Sequence, residues 1–268
     1  FVQCNCKAKH VFINPSINQK FLEKHFKDSK SWNVWSKKVL KSNENHRLEK
    51  YKFSRATKVI KKTYANKIDI LDVGCASGNF INYCNITYKW NSFGIEPSKG
   101  AYNLAIKKNK KNIYNTNFEK FSLNKKFDVI SFWASFEYCT DIDLVLKKIK
   151  TLLKKGGLLL IYISGNSASL LMRLLKEKCI GFVFNRTHYF SPKSLDMLLS
   201  KYKFSRIYQE SFISETKEII NYLDYYEPYK LAEINLNSFL SPGIVKQFDK
   251  IILKEMMGYK FLTIYKNK

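Results

Sequence analysis

An acid, two glycines four residues apart and an apolar run leading into them stand together at residues 69–80, "DILDVGCASGNF". The run reads as a buried strand ending near Asp72, and the residues after Gly78 as the start of a helix. A strand, a glycine turn and a helix together bring backbone N–H groups close to a ligand. A P-loop needs Lys and then Ser or Thr after its last glycine, whereas Asn79 follows Gly78. A dinucleotide turn needs Gly-x-Gly-x-x-Gly, and Ala76 and Asn79 occupy its second and third glycine positions. What remains is Asp-x-Gly-x-x-x-Gly, formed by Asp72, Gly74 and Gly78. It sets a carboxylate at the turn, so the expected ligand has a positive or donor-rich end. A purely structural reading also stands, in which the glycines permit a tight turn and Asp72 flanks a helix.

The elements that must position these residues alternate from residue 68 onward. Strands are expected at 68–73, 92–96, 112–115, 127–133 and 158–163, with helices at 79–86, 97–108 and 141–153 between them. Pro97 suits a first helical turn, where its missing N–H costs nothing. "KKGG" at 154–157 reads as the C-terminal cap of the third of these helices. Apolar runs such as "LLLIYI" suit strands buried on both faces. The order predicts an α/β fold with a mostly parallel sheet and helices on both faces. An amphipathic helix is expected over 47–64, with Leu48, Tyr51, Ala56, Val59 and Ile60 near helical spacing. "SPKSLDMLLSKY" reads as a capped helix, "FSRIYQESFI" as a strand and "GYKFLTIYKN" as a last strand. Residues 1–44 form a separate N-terminal cap with an aromatic patch at Trp32 and Trp35. Residues 45–268 form the main domain, with a helical insert at about 214–255.

The turn resembles motif I of the class I S-adenosylmethionine-dependent methyltransferases. "FGIEPS" is similar to the segment that carries the family's acid for the two ribose hydroxyls, here Glu96, followed by Pro97. A carboxylate paired to a diol makes physical sense of an acid at a strand end. "NTNFEKF" resembles the adenine-contacting segment, which points to Asn117 and the backbone near Phe118, with Asn where the family has Asp. "FDVISFWASFEYCTD" through "LLLIYIS" resembles strands four to five of the family. "SFEYCTD", "SGNSASLLMRLL" and "THYFSPKSLDMLLSKYKF" are similar to segments of the branch that includes ubiquinone-biosynthesis and cell-surface-sugar O-methyltransferases, common in bacteria. The resemblance spans roughly residues 45–210. It implies a Rossmann-like, seven-stranded sheet and S-adenosylmethionine as cofactor. It also implies a donor site of Asp72, Gly74, Cys75, Gly78, Phe80, Glu96, Pro97, Asn117, Phe118 and Trp133.

The family reaction is an in-line displacement whose rate comes largely from alignment. An oxygen nucleophile gains from a base that removes its proton. Glu137, Tyr138 and His188 are the candidates, His188 because it matches a recurring family His and because His titrates near neutrality. A buried, backbone-bonded His188 fits the sequence equally well. Tyr138 stands where the branch has His, and an unperturbed phenol is protonated at neutral pH.

The 268 residues carry a net charge of +25, and only Arg47, Arg55, Arg173, Arg186 and Arg206 among the 47 basic residues are Arg. The scattered Lys fit solvated helix faces and A/T-rich codons, so nucleic acid is not an expected partner. No apolar run is long enough to span a membrane. Six Cys at 4, 6, 75, 84, 139 and 179 form no regular framework and read as free thiols in a reducing cytoplasm. The chain opens on Phe1 rather than Met, which reads as missing upstream sequence, and no signal peptide is read at its start. Cys4, Cys6 and His10 resemble a degenerate or truncated zinc ribbon. A closed zinc site needs four ligands, so no metal is expected. The expected function is methyl transfer to a small-molecule acceptor, to an oxygen of a sugar or related metabolite. The alternatives are an RNA methyltransferase and a non-catalytic binding protein on the same fold. Composition and spacing leave the oligomeric state open.

Overall fold

A computed structural model describes residues 1–27, 43–179, 181–220 and 241–268. Trp32, Trp35 and residues 221–240 of the expected insert lie outside them. The central sheet contains β3 (Asp69–Val73), β4 (Asn91–Ile95), β5 (Ile113–Tyr114), β6 (Phe127–Trp133), β7 (Leu153–Ile163), β9 (Phe204–Phe212) and β10 (Lys260–Asn267). Their spatial order is β5-β4-β3-β6-β7-β10-β9. The first five are parallel, and β10 runs antiparallel to both neighbours. The expected mostly parallel, seven-stranded Rossmann-like sheet is therefore the fold of this chain.

Side-chain alternation along the strands divides the core in two. Leu71, Ile130, Leu159 and Ile161 pack against Val145 and Ile149 of α5 (Ile142–Leu152) and Leu195 and Leu199 of α7 (Pro192–Lys201). Ile70, Val129, Leu160 and Tyr162 face the other way. They meet Phe53, Ala56 and Ile60 of α2 (Asn43–Thr63) and Phe80 and Cys84 of α3 (Asn79–Tyr88). A fifth helix, α4 (Lys99–Asn109), packs Ala105 against Ile81. Tyr51 is half exposed, so Phe53 takes the buried place expected for it.

Two boundaries differ from expectation. Ser98, not Pro97, caps α4, accepting the Ala101 N–H, and Pro97 stays outside the helix. The "KKGG" segment is not a helix cap: α5 ends at Leu152, and Gly156 (φ +73°) lies inside β7. Buried Leu153 pairs with Phe127, which draws the strand back to the helix end. The capped helix read from the sequence is α7, where Ser191 and Ser194 form a reciprocal capping box.

A second, small sheet joins β1 (Val2–Gln3), β2 (Val11–Phe12) and β8 (His188–Tyr189) in that order. It fastens the N-terminal segment to the end of the main fold. The helix that follows, α1 (Gln19–Lys27), and a short helix α6 (Leu170–Leu175) complete the layers around it. Residues 216–220 are helical, as is α8 (Pro242–Lys254). Cys4 and Cys6 form a disulfide instead of free thiols, and the other four Cys are free. Among the described residues no three His, Cys, Asp or Glu side chains converge on a metal site, and no helix is long and apolar enough to cross a membrane.

Asn166, fully buried after β7, holds the approach to β10. Its amide donates to the Met256 and Gly258 carbonyls at 2.9 and 2.8 Å, and its oxygen accepts from Ala168 N. Asn166→Ala strands all three groups and should cost about 2–4 kcal/mol. A lowered urea midpoint with an unchanged slope is the expected result.

Candidate functional site

The carboxyl ends of β3, β4 and β6 open into a cavity of about 700 Å³. Small-molecule sites span about 300–1,000 Å³, and the open end of parallel strands is their usual place. The turn after β3 forms its floor. Gly74 (φ +72°) and Gly78 (φ +70°) both adopt the left-handed conformation that side chains resist. A Cβ on Gly74 would lie 2.7 Å from that of Ser135, and one on Gly78 would lie 3.3 Å from that of Ala105. Gly74 N and Cys75 N both donate to the Ile95 carbonyl, at 2.8 and 3.0 Å. Glu96 completes the brace: one carboxylate oxygen accepts from Ala76 N and the other from Ser98 N, each at 2.8 Å.

Two acids are thus sunk in the floor. Asp72 is fully buried and accepts from the Ser131 hydroxyl at 2.8 Å. Burial pushes its carboxyl up to about 7 against that hydrogen bond. Burial likewise pushes Glu96 up to about 7, opposed by its two backbone donors. The Cys75 thiol is pushed well up by burial and stays protonated.

Nine of the ten expected donor-site residues line the cavity: Asp72, Gly74, Cys75, Phe80, Glu96, Pro97, Asn117, Phe118 and Trp133. Gly78 sits behind it as the N-cap of α3. Trp133 packs on Phe53 and Phe80 at 4.9 Å between ring centroids. Its buried indole N–H has no partner among the described residues, nor has the Tyr162 hydroxyl, and both residues line the cavity.

The three expected catalytic residues separate. Tyr138 lines the cavity, its phenol pushed up by burial, with the Arg186 guanidinium over its ring. It is therefore a donor rather than a base at neutral pH. Glu137 is wholly buried behind the wall, accepting from Ser164 N and Oγ at 2.9 and 2.7 Å. His188 lies outside the cavity lining, in β8. Its Nδ1 is 3.1 Å from His10 Nε2, and burial holds both rings down at about 4. The pair joins the N-terminal segment to the fold.

Sequence reasoning missed three lining cations: Lys52, Arg186 and Lys260. Lys52 had a readable signal. It stands at i+4 from Leu48 and i−4 from Ala56, inside the apolar stripe of α2, where a charge is out of place. Its ammonium lies 4.7 Å from the Tyr162 ring centroid, and burial lowers it to about 8. Leu22, His25 and Phe26 of α1 close the cavity from the N-terminal side.

A profile of the methyltransferase-domain family matches residues 44–209. The chain belongs to this family, the S-adenosylmethionine-dependent class I methyltransferases. Solved structures share the fold. A SAM-dependent methyltransferase from Archaeoglobus fulgidus aligns over 88% of this chain and 99% of its own, with 18% identity and a TM-score of 0.57. The N-methyltransferase NodS from Bradyrhizobium japonicum WM9, in complex with S-adenosylhomocysteine, covers 86% and 95% at 14% identity, TM-score 0.53. The plantazolicin methyltransferase BpumL, solved with a desmethyl-plantazolicin analogue and S-adenosylhomocysteine, covers 93% and 97% at 19% identity, TM-score 0.54. A search of curated proteins found no match.

Asp72 and Glu96 keep a proton in the folded chain that the unfolded chain loses from about pH 4, and release it near pH 7. Ligand-free stability should therefore fall as pH rises through that window. A ligand that donates to these carboxylates favours their ionised form. S-adenosylhomocysteine affinity should rise about tenfold between pH 6 and pH 8 for each carboxylate that must ionise. Calorimetry across that range checks this, and a flat profile would contradict it.

Proposed function

We propose that the chain transfers a methyl group from S-adenosylmethionine to a small-molecule acceptor, at an oxygen of a sugar or related metabolite. The observation that carries the donor half is the floor of the cavity, where two buried carboxylates and a braced glycine turn meet aromatic walls. These residues fit the donor. Glu96 would take the ribose diol and Asp72 the ammonium of the methionine end. Lys52, close enough to favour the charge on Asp72, would take the neighbouring carboxylate. Asn117, Phe118 and Trp133 would wall the adenine and thioether. When bound, the sulfonium supplies an activated methyl group and a neutral leaving group.

The chain's own part is alignment and exclusion of water. α1 and α2 cover the cavity from above, and Tyr138 presents a phenol O–H to orient the acceptor. The acceptor oxygen rests on the resemblance of the 135–141, 164–175 and 187–204 segments to O-methyltransferases. NodS methylates nitrogen, so the two chemistries must be separated by product. An isotopically labelled methyl donor incubated with a metabolite extract should give an O-methyl resonance by NMR. Label found only on nitrogen would overturn the oxygen assignment and leave the donor site standing. Tyr138→Phe should lower turnover about 10- to 100-fold and leave donor affinity within twofold.

A further inference from the structure

We propose that the acceptor carries an anionic group, a carboxylate or a phosphate, and that Lys260 and Arg186 hold it in the half of the cavity away from Glu96. The inference deepens the methyl-transfer reading and rests on it. Arg186 is 6% exposed, and its guanidinium donates to the Gly181 carbonyl and the Ser164 hydroxyl at 3.2 and 3.1 Å. Its Nε is buried with no partner among the described residues. Lys260 opens β10. Phe261 pairs with Ile163, so Lys260 stands opposite Ser164, the residue that Arg186 touches. Its ammonium makes no ion pair or hydrogen bond among the described residues. The two cations therefore share one corner, with the Tyr162 hydroxyl, also buried and unpartnered, on the same face of β7.

Neither cation is within ion-pair distance of an acid among the described residues. Ser164 donates to Glu137 while accepting from Arg186, and this relay offsets one cation. Glu215 is the other acid that favours the charge on Lys260, and burial pushes it up to about 7. Burial lowers the Lys260 ammonium and the Arg186 guanidinium opposes its charge further, while Lys260 in turn opposes the charge on Lys52. Enclosing cations without a counter-charge is costly, and such costs are met by a partner that brings the missing charge. Carboxylate and phosphate oxygens suit a guanidinium and an ammonium side by side. A neutral acceptor would leave the corner unbalanced, and a cationic one would be repelled.

The test uses the whole chain saturated with S-adenosylhomocysteine, whose own carboxylate is then already bound. Inorganic phosphate and acetate are titrated in turn by calorimetry, each against chloride at matched ionic strength. At least one should bind one-to-one, and the tighter of the two identifies the phosphoryl or carboxyl class. Lys260→Gln should weaken that binding at least about tenfold, Lys260→Arg should restore most of it, and Lys61→Gln on the exposed face of α2 should leave it unchanged. Absence of anion binding in a chain that binds S-adenosylhomocysteine would overturn the inference alone. So would an anion affinity indifferent to Lys260→Gln, or a Lys260→Gln variant that loses S-adenosylhomocysteine instead. Failure of S-adenosylhomocysteine to bind the unaltered chain would remove the underlying reading, and this inference with it.

Discussion

The Glu96 carboxylate bridges two backbone N–H groups, Ala76 on the turn after β3 and Ser98 at the start of α4. Beside it, the Ile95 carbonyl accepts from both Gly74 and Cys75. The ends of two parallel strands are thereby locked into one rigid floor. The geometry requires left-handed backbone at Gly74 and Gly78, and Ser135 against Gly74 carries the constraint across to β6. The glycines thus serve the turn's own shape, and the acids, rather than free N–H groups, face the cavity. A buried carboxyl so placed is poised to ionise when a donor-rich ligand arrives.

Polarity is divided along the cavity. Asp72 and Glu96 lie at the floor, while Arg186 and Lys260 stand on the far wall, with Lys52 above Tyr162. Aromatic rings of Phe53, Phe80, Trp133 and Tyr138 line the same cavity, the first three packed on one another. The N-terminal segment closes the opening, held by β2 pairing with β8 and by the contact of His10 with His188. Function resides in loops and covers set on a rigid scaffold, which is how one fold serves many ligands.

The sheet and its helices were legible because the strands are uninterrupted apolar runs and the turns carry Gly, Pro or Ser. The acids of the cavity floor were legible for the same reason: Asp72 and Glu96 close apolar strands, where a charge stands out. What the sequence hid depends on long-range pairing. Nothing local shows that His188 meets His10, 178 residues away, or that Lys260 meets the end of β7. His188 is a matching residue with a structural environment, since burial against another imidazole keeps it uncharged. Glu137 is similar: its position in the turn after β6 is as expected, but Ser164 holds its side chain behind the wall. Lys52 is the exception, since a charge within the apolar stripe of α2 is a local signal.

The floor between β3 and β4 is the proposed seat of the methyl donor. Calorimetric titration of the chain with S-adenosylhomocysteine, with NAD as the control ligand and Glu96→Ala as the control variant, tests it most directly. One-to-one binding of S-adenosylhomocysteine at about micromolar affinity, none of NAD, and loss of binding in a folded Glu96→Ala variant are predicted. Equal affinity in that variant, or no binding to the unaltered chain, would contradict the claim.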